Sequence, residues 1–466
     1  MISEAELAKL SYSDAPKIIT AKIPGSKSQK ILEDVPKYES MTRPPGDTSP
    51  PVYEEAMGAT VKDPDGNLYI DMAAGIAVSN VGRRHPRVLK AIEAQCTKLL
   101  HAAEATNTRR SEAAKKIASV MPGSLRDNCV TYFALSGSGA IETAIKFARH
   151  MTGRSQVVAF HGAYHGVWYG AMSLTTSNRI RRGYGYLMPE VIHVPYAYCY
   201  RCPFNLNYPA CDGQCGKYID YVLNTPGTGC DDVAAVIIEP HQAEGGYIPP
   251  PPKFLKTIKE ICEKCGALFV ADEIQAGAGR TGKMWSIEHS GVTPDMVTWG
   301  KAMGGDLPMA GVTIRSDLEH KLAGSVQPQT FAGNALSAAV LMTNIDILTD
   351  KNDDLIGRAA QLGEEMKARL QEGARGAGLI GDVRGRGFMI GIEMVEDKAT
   401  KKPVEMSVTK QIISELLNRG VIAALCGRYF SVLRLMPPLT ITRGYFEKAV
   451  DIILSVIKDG KASTPR

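Results

Sequence analysis

Three stretches carry residues whose types and spacing could do chemistry together. In SGSGAIETAIKFARH, Ser136-Gly137-Ser138-Gly139 stands before a helical pattern in which Ala140, Ile141, Ala144, Ile145 and Ala148 share one face. Backbone N–H groups, the positive helix end and two hydroxyls would converge there on a phosphate, although a serine N-cap followed by turn glycines leaves the same trace. In ALFVADEIQAGAGRTG an apolar run ends in Asp272-Glu273 before a Gly-rich loop. A carboxylate so placed can bind a metal, cap a helix or hold a ring nitrogen. In DMVTWGKAMGG a second apolar run ends at Lys301 between glycines.

Taken together, the three signals narrow the chemistry. A lysine that forms a Schiff base must lose its proton, which an enclosed site promotes. A pyridine ring withdraws electrons best when protonated, and a carboxylate at its nitrogen favours that form. A phosphate anchor, Asp272 and Lys301 are the parts that such a cofactor requires.

For these groups to meet, the elements that carry them must end on one edge of a sheet. The runs VVAF, VIHV, VAAVIIE, ALFVAD, MVTW and GVTI alternate with helical stretches, the pattern of a mainly parallel sheet covered on both faces. Ligands of such α/β folds sit beyond the carboxyl ends of the strands. We assign this large domain to residues 107–345. Residues 51–106 form the first part of a small domain and a linker, with a hairpin expected in ATVKDPDGNLYIDMA. Residues 346–466, which mix helical stretches with the short runs FMIGIEM and VLRLM, complete a small α+β domain. Residues 1–50 read as an arm, with order beginning near Pro51.

Composition excludes other classes. A net charge of +5 without a basic run argues against nucleic acid. The absence of an 18-residue apolar stretch and of an apolar signal core argues against a membrane and for the cytoplasm.

The run AVIIEPHQAEGGYIPPPPKFLKTIKEICEKCGALFVADEIQAGAGRTGKMW, followed by PDMVTWGKAMGGDLPMAGV, resembles the class III pyridoxal-phosphate aminotransferases, the group of 4-aminobutyrate and ornithine aminotransferases. The resemblance extends from about Pro51 to the C-terminus. It implies the fold-type I transferase architecture, pyridoxal 5'-phosphate as cofactor, and a homodimer with shared active sites, with a tetramer as the further option. The implied activity moves an amino group from an ω- or β-amino donor to a 2-oxo acid, 2-oxoglutarate or pyruvate, by a ping-pong mechanism. Related members racemise or epimerise amino acids, and these motifs do not separate the two outcomes.

Carried over by residue, the resemblance implies Lys301 as Schiff-base lysine and proton carrier, Asp272 at the pyridine nitrogen and Gln275 at the ring hydroxyl. Ser136, Gly137 and Ser138 would hold the phosphate, joined by Thr330 of TFAGNALSA from the neighbouring subunit. Tyr164 would stack on the ring with His165 beside it. Arg434 of VLRLMPPLTIT would grip the carboxylate of the 2-oxo acid, with Glu244 of EPHQAEGG as the partner that releases it. Glu239 and Ile76 complete the substrate-binding set, and no metal is assigned.

Several positions depart from the family pattern. Val167 stands where 4-aminobutyrate aminotransferases carry an arginine, which argues against 4-aminobutyrate as donor. Glu104 stands near a pocket position that suits a polar or cationic donor. Gly139 replaces a glutamate, a change expected to affect helix packing. Cys199, Cys202, Cys211 and Cys215 form C-x2-C and C-x3-C pairs that could close a zinc or iron–sulfur site. The wide second pair and the lack of a histidine favour buried or disulfide-linked cysteines instead. Cys262 and Cys265, one helical turn apart, read as core residues.

Overall fold

The computed structural model describes residues 2–40, 51–103 and 105–459. Glu104 and the segment 41–50 lie outside the described residues. The chain divides into two compact units, one of Met1–Pro86 with Asp350–Arg466 and a larger one of Arg87–Thr349.

In the smaller unit, Glu55–Met57 (β1), Thr60–Lys62 (β2) and Leu68–Asp71 (β3) pair antiparallel in sequence order. Asp63 organises the turn between β2 and β3. Its carboxylate accepts from Asp65 N at 3.0 Å, Asn67 N at 2.9 Å and the Tyr69 hydroxyl at 2.9 Å, the local bonding that makes aspartate a turn former.

The N-terminal residues are not the loose arm that their composition suggests. Ser3 and Glu6 form a capping box on the helix Glu4–Ala8, and Leu7 is fully buried. Glu4 pairs with the buried Arg358 at 2.8 Å, and Tyr12 N donates to Thr60 Oγ1 at 2.9 Å. A second helix spans Ser26–Tyr38. Composition averages over residues, whereas one buried leucine and one anchored cap are enough to dock the segment.

The larger unit is built on Cys129–Ala134 (β4), Gln156–Phe160 (β5), Val191–Val194 (β6), Val233–Ile238 (β7), Leu268–Asp272 (β8), Met296–Trp299 (β9) and Ala310–Arg315 (β10). Their order is β4-β10-β9-β8-β7-β5-β6. Only β10 runs against its neighbours; the other pairs are parallel. β7, VAAVII, is buried at every position, as a strand covered on both faces should be. The helix Gly137–Thr152 contributes Ile141, Ala144, Ile145 and Ala148 to the core that also holds Val270 and Val312 of the sheet.

Residues 87–106, which the sequence reading joined to the small domain, fall in the larger unit. Gln95 is the reason visible in the bonding: its Nε2 donates to Leu99 O at 2.7 Å, and its Oε1 accepts from Arg109 Nε at 3.0 Å.

The chain then completes the smaller unit with Ile380–Arg386 (β11), Met389–Asp397 (β12), Lys402–Pro403 (β13), Val421–Ile422 (β14), Ala424–Cys426 (β15) and Val432–Leu435 (β16). β11-β12-β16-β15 form one antiparallel sheet with β13 against β12. β14 instead lies parallel to β3, Val421 opposite Ile70.

Leu7→Ala tests the docking of the N-terminal segment. Truncating a fully buried leucine should lower the unfolding free energy by about 2–5 kcal/mol, read from urea denaturation. A loss below about 0.5 kcal/mol would mark the segment as a surface element.

Candidate active site

Six strands of the larger unit run in one direction, and the turns at the carboxyl ends of five of them, β4, β5, β7, β8 and β9, meet on one edge. There they line a cavity of about 170 Å³. The turn after β4 contributes Ser136, Gly137 and Ser138, and the turn after β5 contributes Tyr164 and His165. Glu239 and His241 follow β7, Asp272 and Gln275 come from the end of β8, and Lys301 follows β9.

At the helix end, the Ser136 side chain accepts from Gly139 N at 3.1 Å and so caps the helix. The N–H groups of Gly137 and Ser138 belong to the first turn, which has no intrahelical acceptors for them. A Cβ on Gly137 would stand 3.0 Å from Ile274 Cγ2, so glycine keeps this end open. Ser138 Oγ accepts from Val167 N at 3.1 Å and retains its own proton for donation. A Cβ on Gly139 would lie 3.2 Å from the Trp168 ring, which accounts for the missing glutamate by packing.

Asp272 is held from three sides. Its Oδ2 lies 2.7 Å from His165 Nδ1, and its Oδ1 accepts from Ile274 N at 3.1 Å and Thr298 Oγ1 at 3.3 Å. Burial pulls the pKa of His165 down, but the bond to Asp272 and the charges of Asp272 and Glu239 outweigh it, and the net shift is upward. With Nδ1 occupied by Asp272, the buried Nε2 has no hydrogen-bond partner among the described residues.

Glu239 is also buried. Burial pushes its carboxyl up to about 7 against the charge of His165, with Asp272 adding to the rise. The N–H groups of Ala243 at 3.1 Å and Tyr164 at 3.2 Å oppose that rise. Glu273, next to Asp272 in the chain and also buried, has a structural task, because it accepts from Ser286 N at 2.9 Å and Ile287 N at 2.6 Å. Gln275 Oε1 accepts from the Tyr247 hydroxyl at 2.9 Å, which leaves the amide N–H groups to donate elsewhere.

Lys301 is half-buried and follows the extended Gly300 with φ of 42°. A non-glycine residue in that left-handed region carries backbone strain, a feature common at functional positions. Tyr164 is half-buried on the cavity wall and is therefore not a core aromatic.

The remaining expected residues lie off this cavity wall. Thr330 is exposed, with its carbonyl oxygen 2.7 Å from His101 Nε2. Glu244 is half-buried in the segment after β7, and Val167 is 52% exposed. Within the smaller unit, Arg434 sits on β16 opposite Gly391 and Ala424 and is buried. Ile76 belongs to a run of four residues, Ala74–Ala77, that all have positive φ. Asp71 anchors that run by accepting from Ala73 N and Ala74 N, each at 2.9 Å.

Two expectations for the cysteines need correction. Cys199, Cys202, Cys211 and Cys215 are neither disulfide-linked nor buried, Cys199 being exposed and the others half-buried. Cys262 is a core residue, but Cys265 is half-buried because the helix turns it outward.

His241, Thr298 and Tyr247 were missed by the sequence reading. His241 had a signal in its position beside Glu239 at the end of an apolar strand. Thr298 and Tyr247 act through bonds to Asp272 and Gln275, and such distant pairings have no local sequence trace.

A mainly parallel α/β sheet with a lysine, a carboxylate and an open helix end on one edge defines a class of enzymes that hold a phosphorylated ring cofactor. Residues 42–457 match the family described as aminotransferase class-III, and the chain belongs to that family. It is 35% identical over 401 residues to the diaminobutyrate–2-oxoglutarate aminotransferase of Rhizobium meliloti, covering 84% of this chain and 85% of the relative. It is 34% identical to the alanine/serine racemase of Pyrococcus horikoshii, covering 95% and 93%. Among solved structures, an amine transaminase of an uncultivated Pseudomonas species in its PLP-bound form matches with a TM-score of 0.82 and 26% identity, over 90% of this chain and 96% of the other.

The fold is that of the fold-type I transferases, and the cofactor is pyridoxal 5'-phosphate, as in the family. The cavity suits that group. The Gly137 and Ser138 N–H groups would suit its phosphate, the clamped Asp272 its ring nitrogen and Lys301 its carbonyl carbon.

Glu239 generates a pH prediction. The unfolded chain ionises this carboxyl at its ordinary value of 4.5, whereas the native chain keeps the proton to about 7. The native state binds more protons between those values, so the stability present below 4.5 is lost as pH rises through 7. Glu239→Gln removes that slope. Its stability relative to the wild type should rise by up to about 3 kcal/mol between pH 5 and 8 in urea titrations. A pH-independent difference would show that the native carboxyl is already ionised at pH 5.

Proposed function

We propose that this class III aminotransferase takes the amino group of an ω- or β-amino donor and passes it, in two half-reactions, to a 2-oxo acid, either 2-oxoglutarate or pyruvate. The observation that carries the reading is the convergence of Lys301, Asp272 and the Gly137–Ser138 helix end on one cavity. Similarity to a diaminobutyrate–2-oxoglutarate aminotransferase supports a donor with a distal amino group. Val167, apolar and exposed, argues against a donor whose distal end is a carboxylate.

Bound pyridoxal 5'-phosphate supplies the electron sink for the substrate carbon that loses its proton. Asp272 would keep the ring nitrogen protonated, and His165 holds that carboxylate in place through Nδ1. Lys301 Nζ would hold the cofactor's carbonyl carbon and would be the group that moves the proton taken from the donor carbon. Gln275 would orient the ring hydroxyl, Tyr164 would cover one ring face, and Ser136, Gly137 and Ser138 would hold the phosphate. Thr330 would reach the same phosphate across a homodimer interface. Arg434 would receive the carboxylate of the 2-oxo acid and Glu239 would serve the amino donor; the resemblance also assigns Glu244 and Ile76 to substrate binding. A cytoplasmic location fits this reading; among the described residues no helix is long and apolar enough to cross a membrane.

The similarity to an alanine/serine racemase favours one second reading, return of the proton to the opposite face of the same carbon. Racemisation consumes no 2-oxo acid, so dependence of turnover on an added oxo acid separates the two.

Borohydride treatment of the holoenzyme followed by peptide mapping should leave the pyridoxyl label on Lys301, and Lys301→Ala should remove both label and turnover. A label on another lysine would overturn the assignment. Arg434→Lys should weaken the oxo-acid half-reaction roughly thirty- to a hundredfold, because an ammonium cannot reproduce two parallel hydrogen bonds to a carboxylate. Single-turnover kinetics with each substrate would read the two halves separately. Collapse of the donor half alone would move Arg434 to donor recognition.

A further inference from the structure

Gln275 stands on the wall of the cofactor cavity, just past the end of β8. Its amide offers an acceptor on one side and two donors on the other, so its orientation decides what a bound ring would meet there. The Tyr247 hydroxyl makes that choice by donating to Gln275 Oε1 at 2.9 Å, which leaves the N–H bonds of Nε2 for the opposite side. Turned the other way, the amide would bring its own N–H groups against the hydroxyl proton.

The hydroxyl is the fixed partner in this contact. Tyr247 is fully buried and is not among the residues that line the cavity. The loop that carries it is closed by Gln242 N donating to Ile248 O at 3.1 Å and Ile248 N donating to Gln242 O at 2.8 Å, while Tyr247 N donates to Ala243 O at 3.0 Å. Within this loop Tyr247 holds φ of 53°, a left-handed conformation that a bulky residue keeps only where its surroundings impose it. Its ring meets that of His241, a cavity residue, edge to face with centroids 6.4 Å apart. Backbone closure and ring packing therefore hold the phenol still. Gln275, half-buried and on a longer side chain, is the partner that adapts.

We propose that Tyr247 sets the acidity of the Lys301 linkage to the cofactor, by turning the Gln275 N–H groups toward the cofactor's ring hydroxyl. This assignment rests on Gln275 being the partner of that hydroxyl, as proposed above. The linkage nitrogen and the neighbouring ring oxygen compete for one proton. A donor at the oxygen favours its anionic form, so Gln275 lowers the pH at which the linkage gives up that proton. Tyr247, which does not line the cavity, is a positioning residue and acts through the amide.

A pH titration of the holoenzyme's visible absorption, without substrates, reads the linkage proton directly. Gln275→Leu removes donor and acceptor together and should raise the midpoint by about one unit, the size of one hydrogen bond to a charged oxygen. Tyr247→Phe keeps the ring packing against His241 but frees the amide to turn, and should raise the midpoint by at least about 0.3 units. Tyr247→Phe combined with Gln275→Leu should match Gln275→Leu alone, because the phenol has no route to the linkage once the amide is gone. A wild-type midpoint in Tyr247→Phe, with Gln275→Leu shifted, would overturn the proposal and leave the role of Gln275 standing. Wild-type midpoints in both single variants would overturn that role as well. Additive shifts in the double variant would show that Tyr247 acts by a route other than Gln275, which would also overturn the proposal.

Discussion

The 2.7 Å contact between His165 Nδ1 and Asp272 Oδ2 joins the turn after β5 to the end of β8, two strands separated in the sheet by β7. Each partner is fixed by bonds from its own element and from others. Thr175 Oγ1 accepts from His165 N at 3.0 Å, Thr298 donates to Asp272 from β9, and Glu239, just after β7, acts on His165 electrostatically. A buried imidazole and a buried carboxylate would each be costly alone, and bonding to each other, with the backbone and Thr298 on the carboxylate, offsets part of that cost although His165 Nε2 is left unbonded among the described residues. The aspartate is thereby held at one position before any cofactor arrives.

That arrangement concentrates ionisable groups in a poorly solvated region. Glu239 and Glu273 are both pushed upward by burial, to about 7 and about 8, and His165 is drawn upward by its acidic neighbours. All three shifts run against stability at high pH, since a native state that retains protons loses ground as protons become scarce. The core of alanine, valine and isoleucine around the sheet offsets that cost. The larger unit therefore supplies the apolar burial that keeps a charged edge folded.

Much of this was legible in the sequence because it is local. Asp272 and Lys301 each end an apolar strand, Ser136 precedes a helix with a clear apolar face, and the Asp-Pro-Asp-Gly turn marks its hairpin. What could not be read involves partners far apart in the chain. β14 joins β3 through Val421 and Ile70, with nothing near either residue to announce the other. Leu7 anchors a segment whose average composition is that of a loop. Thr298 and Tyr247 matter only through the residues they bond. The cysteine segment was read by its spacing, yet only the structure shows its four thiols around one cavity without disulfides.

The turn Ala74–Ala77 places a β-branched side chain, Ile76, where φ is 61°, inside a run of four left-handed residues held by Asp71. Such a conformation costs on the order of 1–3 kcal/mol for a residue of this type, and glycine or asparagine adopts it with less strain. Most substitutions in a folded chain lower stability. Here the native residue starts from a deficit, so exchanges to glycine or asparagine begin with a backbone gain that can absorb losses made elsewhere. Position 76 is thus one at which glycine or asparagine would relieve backbone strain while removing a side chain assigned to substrate binding, so stability and substrate fit would move in opposite directions there.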